Sequence, residues 1–145
     1  MNFSRHVTVD WTGSIMDGKG TANAGTGAFS LPVSFPRRIG EPEGTTSPEE
    51  LIAGAHAACF AMVIAATMSR KSATAKQMHV TCTVTGERAE AGIRIVTSHL
   101  ALVVEGLSGI DAASFETAAR EAEGKCPVSN ALRGTVAIDV AVTVQ

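Results

Sequence analysis

Residues 47–70 read SPEELIAGAHAACFAMVIAATMSR, and this segment decides the fold. It begins with a strong helix start signal, because Ser47 suits an N-cap, Pro48 suits the first helical turn and Glu50 completes a capping box. Arg70 lies where the last turn would be, and a cation there favours the helix dipole. The sequence therefore predicts one long helix over residues 47–70.

The interior of this helix is almost wholly apolar, and its apolar residues are mostly alanine. Between residues 51 and 68 the only ionisable side chains are those of His56 and Cys59. A helix that is apolar on all sides is expected to be buried on all sides, and small residues allow a second helix to pack closely. Such a segment also has the length of a membrane span, but its alanines and its two glutamates favour a core helix.

The length and composition are those of one small domain over residues 1–145. A chain of this size can hardly cover a fully apolar long helix, so we expect a homodimer. The formal net charge is −2 and no block of like charges occurs, so neither nucleic acid nor a membrane is expected as a partner. Three widely spaced cysteines without a CxxC pair, and no visible signal peptide, indicate reduced thiols in the cytoplasm.

The remaining elements follow from hydrophobic periodicity and from turn residues. Alternating residues predict strands, and the segment at residues 35–47 is expected to be a loop. Asp111 is the expected N-cap of a second helix and Gly124 its C-terminal stop. The predicted order is β-β-β-α-β-β-α-α-β, an α+β fold on antiparallel sheet. The predicted strands cover residues 5–11, 21–23, 29–33, 77–87, 93–105 and 135–144, and the later helices cover residues 112–123 and a short segment from Pro127.

Two of the three cysteines are expected in helical surroundings. Cys126 directly precedes Pro127, which places it at the N-cap of the short helix, where backbone N–H groups favour a thiolate. Cys59 is far from either end of its helix, so only a nearby cation would activate it. Cys82 alternates with valines in a strand and is expected to be buried filler.

The cation could be Arg38 or Arg37, from the loop that precedes the long helix, with Glu49 or Glu50 as the carboxylate that orients it. His56, one turn before Cys59, offers an alternative as a general base in a Cys–His hydrolase or acyl transferase. A metal site built from Cys59, Cys126 and His56 is a weaker alternative, because its spacing matches no common ligand pattern.

The sequence PEELIAGAHAACF around Cys59, taken with CPVSNAL around Cys126, resembles the OsmC/Ohr family of thiol peroxidases over essentially the whole chain, and the OsmC branch in particular. The resemblance implies reduction of organic hydroperoxides, and of hydrogen peroxide, in oxidative or osmotic stress defence. It implies an intertwined homodimer in which antiparallel sheet wraps around long central helices. One departure is Lys125, because the family usually has glycine directly before the second cysteine.

The resemblance also implies the roles of individual residues. By position, Cys59 matches the peroxidatic cysteine, Cys126 the resolving cysteine, Arg38 the arginine that activates the thiolate and Glu49 the carboxylate that orients the arginine. Glu49 and Cys59 are about 15 Å apart along one helix, so we expect the Glu49 serving each Cys59 to come from the partner subunit. No bound cofactor is implied, and the reductant is an external dithiol of the lipoyl type. The alternative is a non-catalytic protein of the same fold that binds small hydrophobic molecules.

Overall fold

The computed structural model describes residues 1–145 and divides them into two compact units, residues 1–51 and residues 52–145. The boundary falls in the first turn of a long helix, and the single domain expected over residues 1–145 stays a prediction. The elements in chain order are β1 Val7–Thr12, β2 Lys19–Ala24, β3 Ser30–Val33, α1 Phe35–Ile39, α2 Pro48–Arg70, β4 Gln77–Ala89, β5 Gly92–Glu105, α3 Ala112–Glu123, α4 Pro127–Leu132 and β6 Ala137–Val144.

The first unit is built on an antiparallel sheet of three strands in the order β1-β2-β3. Alternation along β1 puts Val7, Val9 and Trp11 on one face, because successive side chains of a strand point to opposite sides. All three are at least 43% exposed in the single chain. This unit therefore presents an apolar strand face that its own residues do not cover.

The expected loop at residues 35–47 is wrong at its start, because residues 35–39 form the short helix α1. Ser34 is its N-cap and accepts a hydrogen bond from the backbone N–H of Arg37. Pro36 lies in the first turn, where its missing N–H costs nothing, and the helix ends before Gly40. Proline and glycine in this segment favour a loop, but Ser34 with Pro36 two residues later is also a helix start signal.

Helix α2 begins as the sequence predicts, with one difference in its cap. The Ser47 hydroxyl accepts the backbone N–H of Glu50, which confirms the N-cap. The Glu50 carboxylate instead accepts from the Thr46 hydroxyl, at 2.7 Å. The glutamate of the expected capping box therefore stabilises the segment that leads into the helix.

The second unit is built on a sheet in the order β4-β5-β6. β4 and β5 form the expected antiparallel hairpin, whereas β6 pairs with β5 in parallel. A parallel neighbour needs a long crossover connection, which α3 and α4 supply here. The α+β class is confirmed, and the purely antiparallel expectation fails only at this last strand.

The core of the second unit lies between its helices and the inward face of β5. Its buried residues have apolar side chains. Cys126 is one of them and is 0% exposed. The Asp111 N-cap of α3 is confirmed, since its side chain accepts the backbone N–H of Ser114. The largest of these core side chains are Phe60, Ile64, Leu100, Leu102, Val104 and Phe115.

Burial of α2 on every side, as the sequence suggests, does not occur within one chain. Its buried residues form a single stripe: His56, Phe60, Ile64, Thr67 and Met68. The opposite stripe is exposed and apolar, and Met62 on it is 72% exposed. By length and composition α2 is the one helix that could cross a membrane, while its buried stripe belongs to a packed core.

Candidate active site

The site in the second unit is a pair of free thiols, contributed by α2 and by the start of α4. Cys126 is the N-cap of α4, as expected, and Pro127 follows it in the first turn. Cys59 packs against the buried cluster that contains Cys126, and Lys125 and Pro127, the two neighbours of Cys126, line the same groove as Cys59. Both cysteines are unbridged, and Cys59 is partly exposed while Cys126 is buried. The structure thus joins two thiols that are distant in sequence.

Within this unit the environment of Cys59 does not favour a thiolate. Burial raises the pKa of Cys59, and the adjacent Cys126 raises it further. The N–H of Val128 acts in the opposite direction, because a hydrogen bond to sulfur favours the charged form. A positive charge close to the sulfur would lower the pKa of Cys59 and favour the thiolate.

His56 does not act as a base toward Cys59, because both of its ring nitrogens have other partners. Nδ1 lies 2.7 Å from the Ser98 hydroxyl and Nε2 lies 2.7 Å from the Ser129 hydroxyl. Burial lowers the pKa of His56, although Glu123 acts against this, so the imidazole is held neutral. The Cys–His hydrolase and the metal site with His56 as a ligand both lose the nitrogen that they need.

Cys82 lies on the inward face of β4, where its alternation with Val80 and Val84 places it. Its sulfur is 3.2 Å from the Ser98 hydroxyl and 3.8 Å from Nδ1 of His56. Burial raises the pKa of the Cys82 thiol. Cys82 packs against the core as a protonated thiol, but it is half-buried and not fully buried as expected.

An open groove of about 360 Å³ runs past Cys59 in the second unit. Apolar side chains make up most of its wall, and two cations, Arg70 and Lys125, also line it. Lys125, which departs from the family pattern, therefore lies in the same groove as the Cys59 thiol. The apolar lining consists of Met62, Val63, Ala66 and Pro127.

The site in the first unit is an ion pair between Arg38 and Glu49. Nη2 of Arg38 is 2.6 Å from Oε1 of Glu49, and Nε donates to both carboxylate oxygens at 3.1 Å. The Arg38 bond is the main cause that holds the pKa of Glu49 below its ordinary value. Arg37 instead pairs with Glu43 in an exposed salt bridge. Of the two arginines left open by the sequence, Arg38 is the one that contacts Glu49.

Arg38 also lines an apolar cavity of about 310 Å³ in this unit. Phe35 and Trp11 contribute to its walls, together with Leu51 from the first turn of α2. A guanidinium at the edge of an apolar cavity suits a ligand with one polar and one hydrophobic end.

Sequence reasoning missed the two serines that hold His56. Ser98 lies in β5 on the same face as Leu100 and Leu102, so a hydroxyl at that core position needs a buried partner. Ser129 follows Cys126 by three residues in the short helix α4. Two signals could have indicated this network. One is a serine on an otherwise apolar strand face, and the other is a histidine in an apolar helix.

Known proteins with similar sequences cover most of this chain. The family model described as OsmC-like protein matches residues 40–141. The peroxiredoxin OsmC of Escherichia coli is 35% identical over 140 residues, which cover 96% of each chain. An organic hydroperoxide resistance protein of Xanthomonas axonopodis pv. citri is 32% identical over 86% of this chain and 85% of its own length.

The solved structures agree. The crystal structure of an organic hydroperoxide resistance protein OsmC from Legionella pneumophila covers 96% of this chain and 97% of its own, with a TM-score of 0.75 and 26% identity. The fold, both cysteine motifs and these matches lead to one conclusion. The chain belongs to the OsmC-like family.

Proposed function

We propose that this protein is a cysteine-based peroxidase that reduces organic hydroperoxides through Cys59 and Cys126. The observation that carries the proposal is the packing of two free thiols, since Cys59 lies against the buried cluster that contains Cys126 and shares a groove with both neighbours of Cys126. The names of the relatives, peroxiredoxin and organic hydroperoxide resistance protein, support a role in removing peroxides.

The chemistry proceeds in three steps. The Cys59 thiolate attacks one peroxide oxygen, the O–O bond breaks and the alkoxide leaves, which oxidises Cys59 to a sulfenic acid. The Cys126 sulfur then attacks the sulfenic sulfur, an S–S bond forms and water leaves. An external dithiol, of the lipoyl type in this proposal, reduces the disulfide by thiol–disulfide exchange.

Arg38 adds a positive charge to those of Arg70 and Lys125, which line the groove beside Cys59, and Glu49 orients the guanidinium. The ion pair of Arg38 with Glu49 fixes the planar fork, which leaves its remaining N–H groups for a thiolate or a peroxide oxygen. We assign this pair to the partner subunit, because Glu49 and Cys59 lie about 15 Å apart along one helix.

The active form in this proposal is a cytoplasmic homodimer. Two apolar faces are uncovered in the single chain, one on β1 and one on α2, and soluble monomers rarely leave such faces exposed. The exposed stripe of α2 recurs every three or four residues, and a second copy of the same helix could pack against it. Its members are Ala55, Ala58, Met62, Ala65 and Ala66.

One assay tests the function. The wild-type protein should consume tert-butyl hydroperoxide when dihydrolipoamide is supplied, and Cys59→Ser should not. Cys82→Ala is the matched control, since it also removes one thiol. A protein that consumes no peroxide with any dithiol, and forms no disulfide when peroxide is added, would not be a peroxidase.

The apolar cavity beside Arg38 favours one other function, which is binding of small hydrophobic molecules without catalysis. Peroxide separates the two functions, because a pure binding protein would keep both thiols reduced after peroxide is added.

A further inference from the structure

A line of polar side chains crosses the core of the second unit beside the thiol pair. His56, Ser98 and Ser129 are each 0% exposed, and all three are joined by the two hydrogen bonds of the imidazole. No buried side-chain nitrogen or oxygen in the chain lacks a hydrogen-bond partner. A fully satisfied polar network in a core fixes the relative positions of the elements that it joins.

The bond between His56 and Ser129 joins the two elements that carry the thiols. His56 lies on α2 one turn before Cys59, and Ser129 lies on α4 three residues after Cys126. The other side-chain hydrogen bonds at α4 lead elsewhere. Asn130 donates to the Gly124 carbonyl and the Arg133 guanidinium donates to Glu123, at the end of α3.

The two bonds of His56 are chemically matched to serine. A neutral imidazole has one N–H donor and one acceptor nitrogen, so it must donate to one partner and accept from the other. A serine hydroxyl can do either, and both partners here are serines. The bond to Ser98 holds the ring to β5, and the bond to Ser129 holds α4 to the ring.

We propose that His56 is a positioning residue that, through Ser129, holds α4 so that the Val128 N–H and the Cys126 sulfur stay against Cys59. The inference rests on the proposed function for its effect on turnover. We call the hydrogen bond between His56 and Ser129 the clamp. With the clamp formed, the Cys126 sulfur meets the sulfenic sulfur of Cys59 at once. The S–O bond then breaks as the S–S bond forms, and water leaves. With the clamp lost, α4 moves more freely, and the sulfenic acid survives long enough to be oxidised further.

Ser129→Ala and Ser98→Ala form a matched pair of variants. Each removes one hydroxyl from a residue of 0% exposure, and each removes the serine partner of one ring nitrogen of His56, while the Cys82 sulfur stays 3.8 Å from Nδ1. A general loss of core stability would affect both variants alike. Only Ser129 lies on α4, so the clamp predicts different effects.

The first measurement needs no peroxide. The rate of Cys59 alkylation by iodoacetamide is followed against pH, with Cys126 and Cys82 identified separately by mass spectrometry. Ser129→Ala should raise the pKa of Cys59, because the N–H of Val128 no longer lies against the sulfur. Ser98→Ala should leave it unchanged, and the two nearby cations, Arg70 and Lys125, are present in both variants.

The second measurement uses one equivalent of tert-butyl hydroperoxide and rapid quenching. Ser129→Ala should slow the conversion of sulfenic acid into disulfide by about tenfold or more, and should accumulate sulfinic acid on Cys59 when peroxide is in excess. Ser98→Ala should resolve at close to the wild-type rate. A wild-type protein that does not react with peroxide would refute the proposed function, while the alkylation profile would still decide on the clamp.

A second matched pair changes the ring itself. Glutamine can place a polar atom near the Nε2 position, on the side of Ser129, and asparagine can place one near Nδ1, on the side of Ser98. His56→Gln should therefore keep a lower Cys59 pKa and faster resolution than His56→Asn. Equal effects of Ser129→Ala and Ser98→Ala would overturn the clamp. If Ser129→Ala does not fold, equal behaviour of the two His56 variants would overturn it instead.

Discussion

The guanidinium of Arg38 meets the carboxylate of Glu49 through two nitrogens, with the shortest separation 2.6 Å between Nη2 and Oε1. Both side chains are at most one quarter exposed, so water screens the pair less than it screens an exposed salt bridge. The pair is already formed within one chain. In the proposed dimer, this preformed ion pair would lie beside the Cys59 thiol of the other subunit.

This ion pair predicts a measurable change in the titration of Glu49. Arg38→Gln should raise the pKa of Glu49 toward its ordinary value of 4.5, because the Arg38 hydrogen bond is the largest cause of its lowering. Arg37→Gln is the control, since Arg37 pairs with Glu43. Carbon-13 NMR of the glutamate carboxyl groups would follow both variants. A Glu49 pKa that stays low in Arg38→Gln would contradict the prediction.

The sign of the effect on stability follows from the same shift. The pKa of Glu49 is lower in the folded chain than in the unfolded chain, so the stabilisation is complete above the ordinary value of 4.5 and is lost as pH falls through the folded-state pKa. Urea unfolding of wild type and Arg38→Gln should therefore converge in that acidic range.

The two cysteine roles predict different products after a single equivalent of peroxide. Wild type should form a Cys59–Cys126 disulfide. Cys126→Ser should still react once and should then carry sulfenic or more oxidised sulfur on Cys59, because no thiol remains to condense with it. Mass spectrometry of the trapped products identifies the oxidised residue. Oxygen found first on Cys126 would reverse the assignment.

Cys82 is expected to matter for packing and not for turnover. Cys82→Ala should keep peroxide consumption near the wild-type rate, because burial keeps this thiol protonated. The lost contacts with its neighbours should cost about 1 kcal/mol of unfolding free energy. Peroxide turnover and urea unfolding are measured on the same preparation, and a folded Cys82→Ala protein without activity would refute the expectation.

The exposed stripe of α2 predicts a dimer that one new charge can separate. Ala65→Glu would bury an unpaired carboxylate between two subunits, which costs several kcal/mol when a buried charge has no partner. Light scattering at micromolar concentration should show a dimer for wild type and a monomer for this variant. Thr117→Glu, on the exposed face of α3, is the control with the same added charge. A wild-type protein that is a stable folded monomer would rule out the dimer.

Subunit mixing tests whether Glu49 serves the Cys59 of its partner. Glu49→Ala and Cys59→Ser homodimers should each be impaired. In the mixed dimer, the intact Cys59 belongs to the Glu49→Ala chain and faces an intact Glu49 of the partner subunit. Co-refolding equal amounts should restore activity toward about a quarter of wild type, since half of the dimers are mixed and each has one complete site.

The control for this mixing experiment is a chain that carries both substitutions. Refolding Glu49→Ala with that double variant gives no site with an intact Glu49, so activity should not rise above that of Glu49→Ala alone. If neither mixture recovers activity, Glu49 acts within its own chain.

The sequence was a good guide wherever a local signal was strong. Ser47 as the cap of α2, Asp111 as the cap of α3 and Cys126 as the cap of α4 are all observed, because capping depends on a few adjacent residues. The two cysteine motifs led to the family, which the comparisons confirm.

Features that depend on residues distant in sequence were harder to predict. The serine partners of His56 lie on β5 and α4, and nothing next to His56 in the chain identifies them. The parallel pairing of β6 depends on how a crossover connection returns to the sheet, which alternation along the strand does not encode. The uncovered side of α2 could not be separated from its buried side, because apolar residues occur on both: Phe60 and Ile64 on the buried side, and Met62 on the exposed side.

The parallel pairing of β5 with β6 also affects how the protein folds. Since α3 and α4 form the connection between these strands, Cys126 lies inside a loop that closes only when the last strand of the chain joins its sheet. Closing such a loop loses chain entropy before its contacts are made, so contacts of this kind are slow to form. During synthesis Cys59 leaves the ribosome well before Cys126 and β6, and a nascent chain therefore carries one thiol whose partner arrives only at the end of folding.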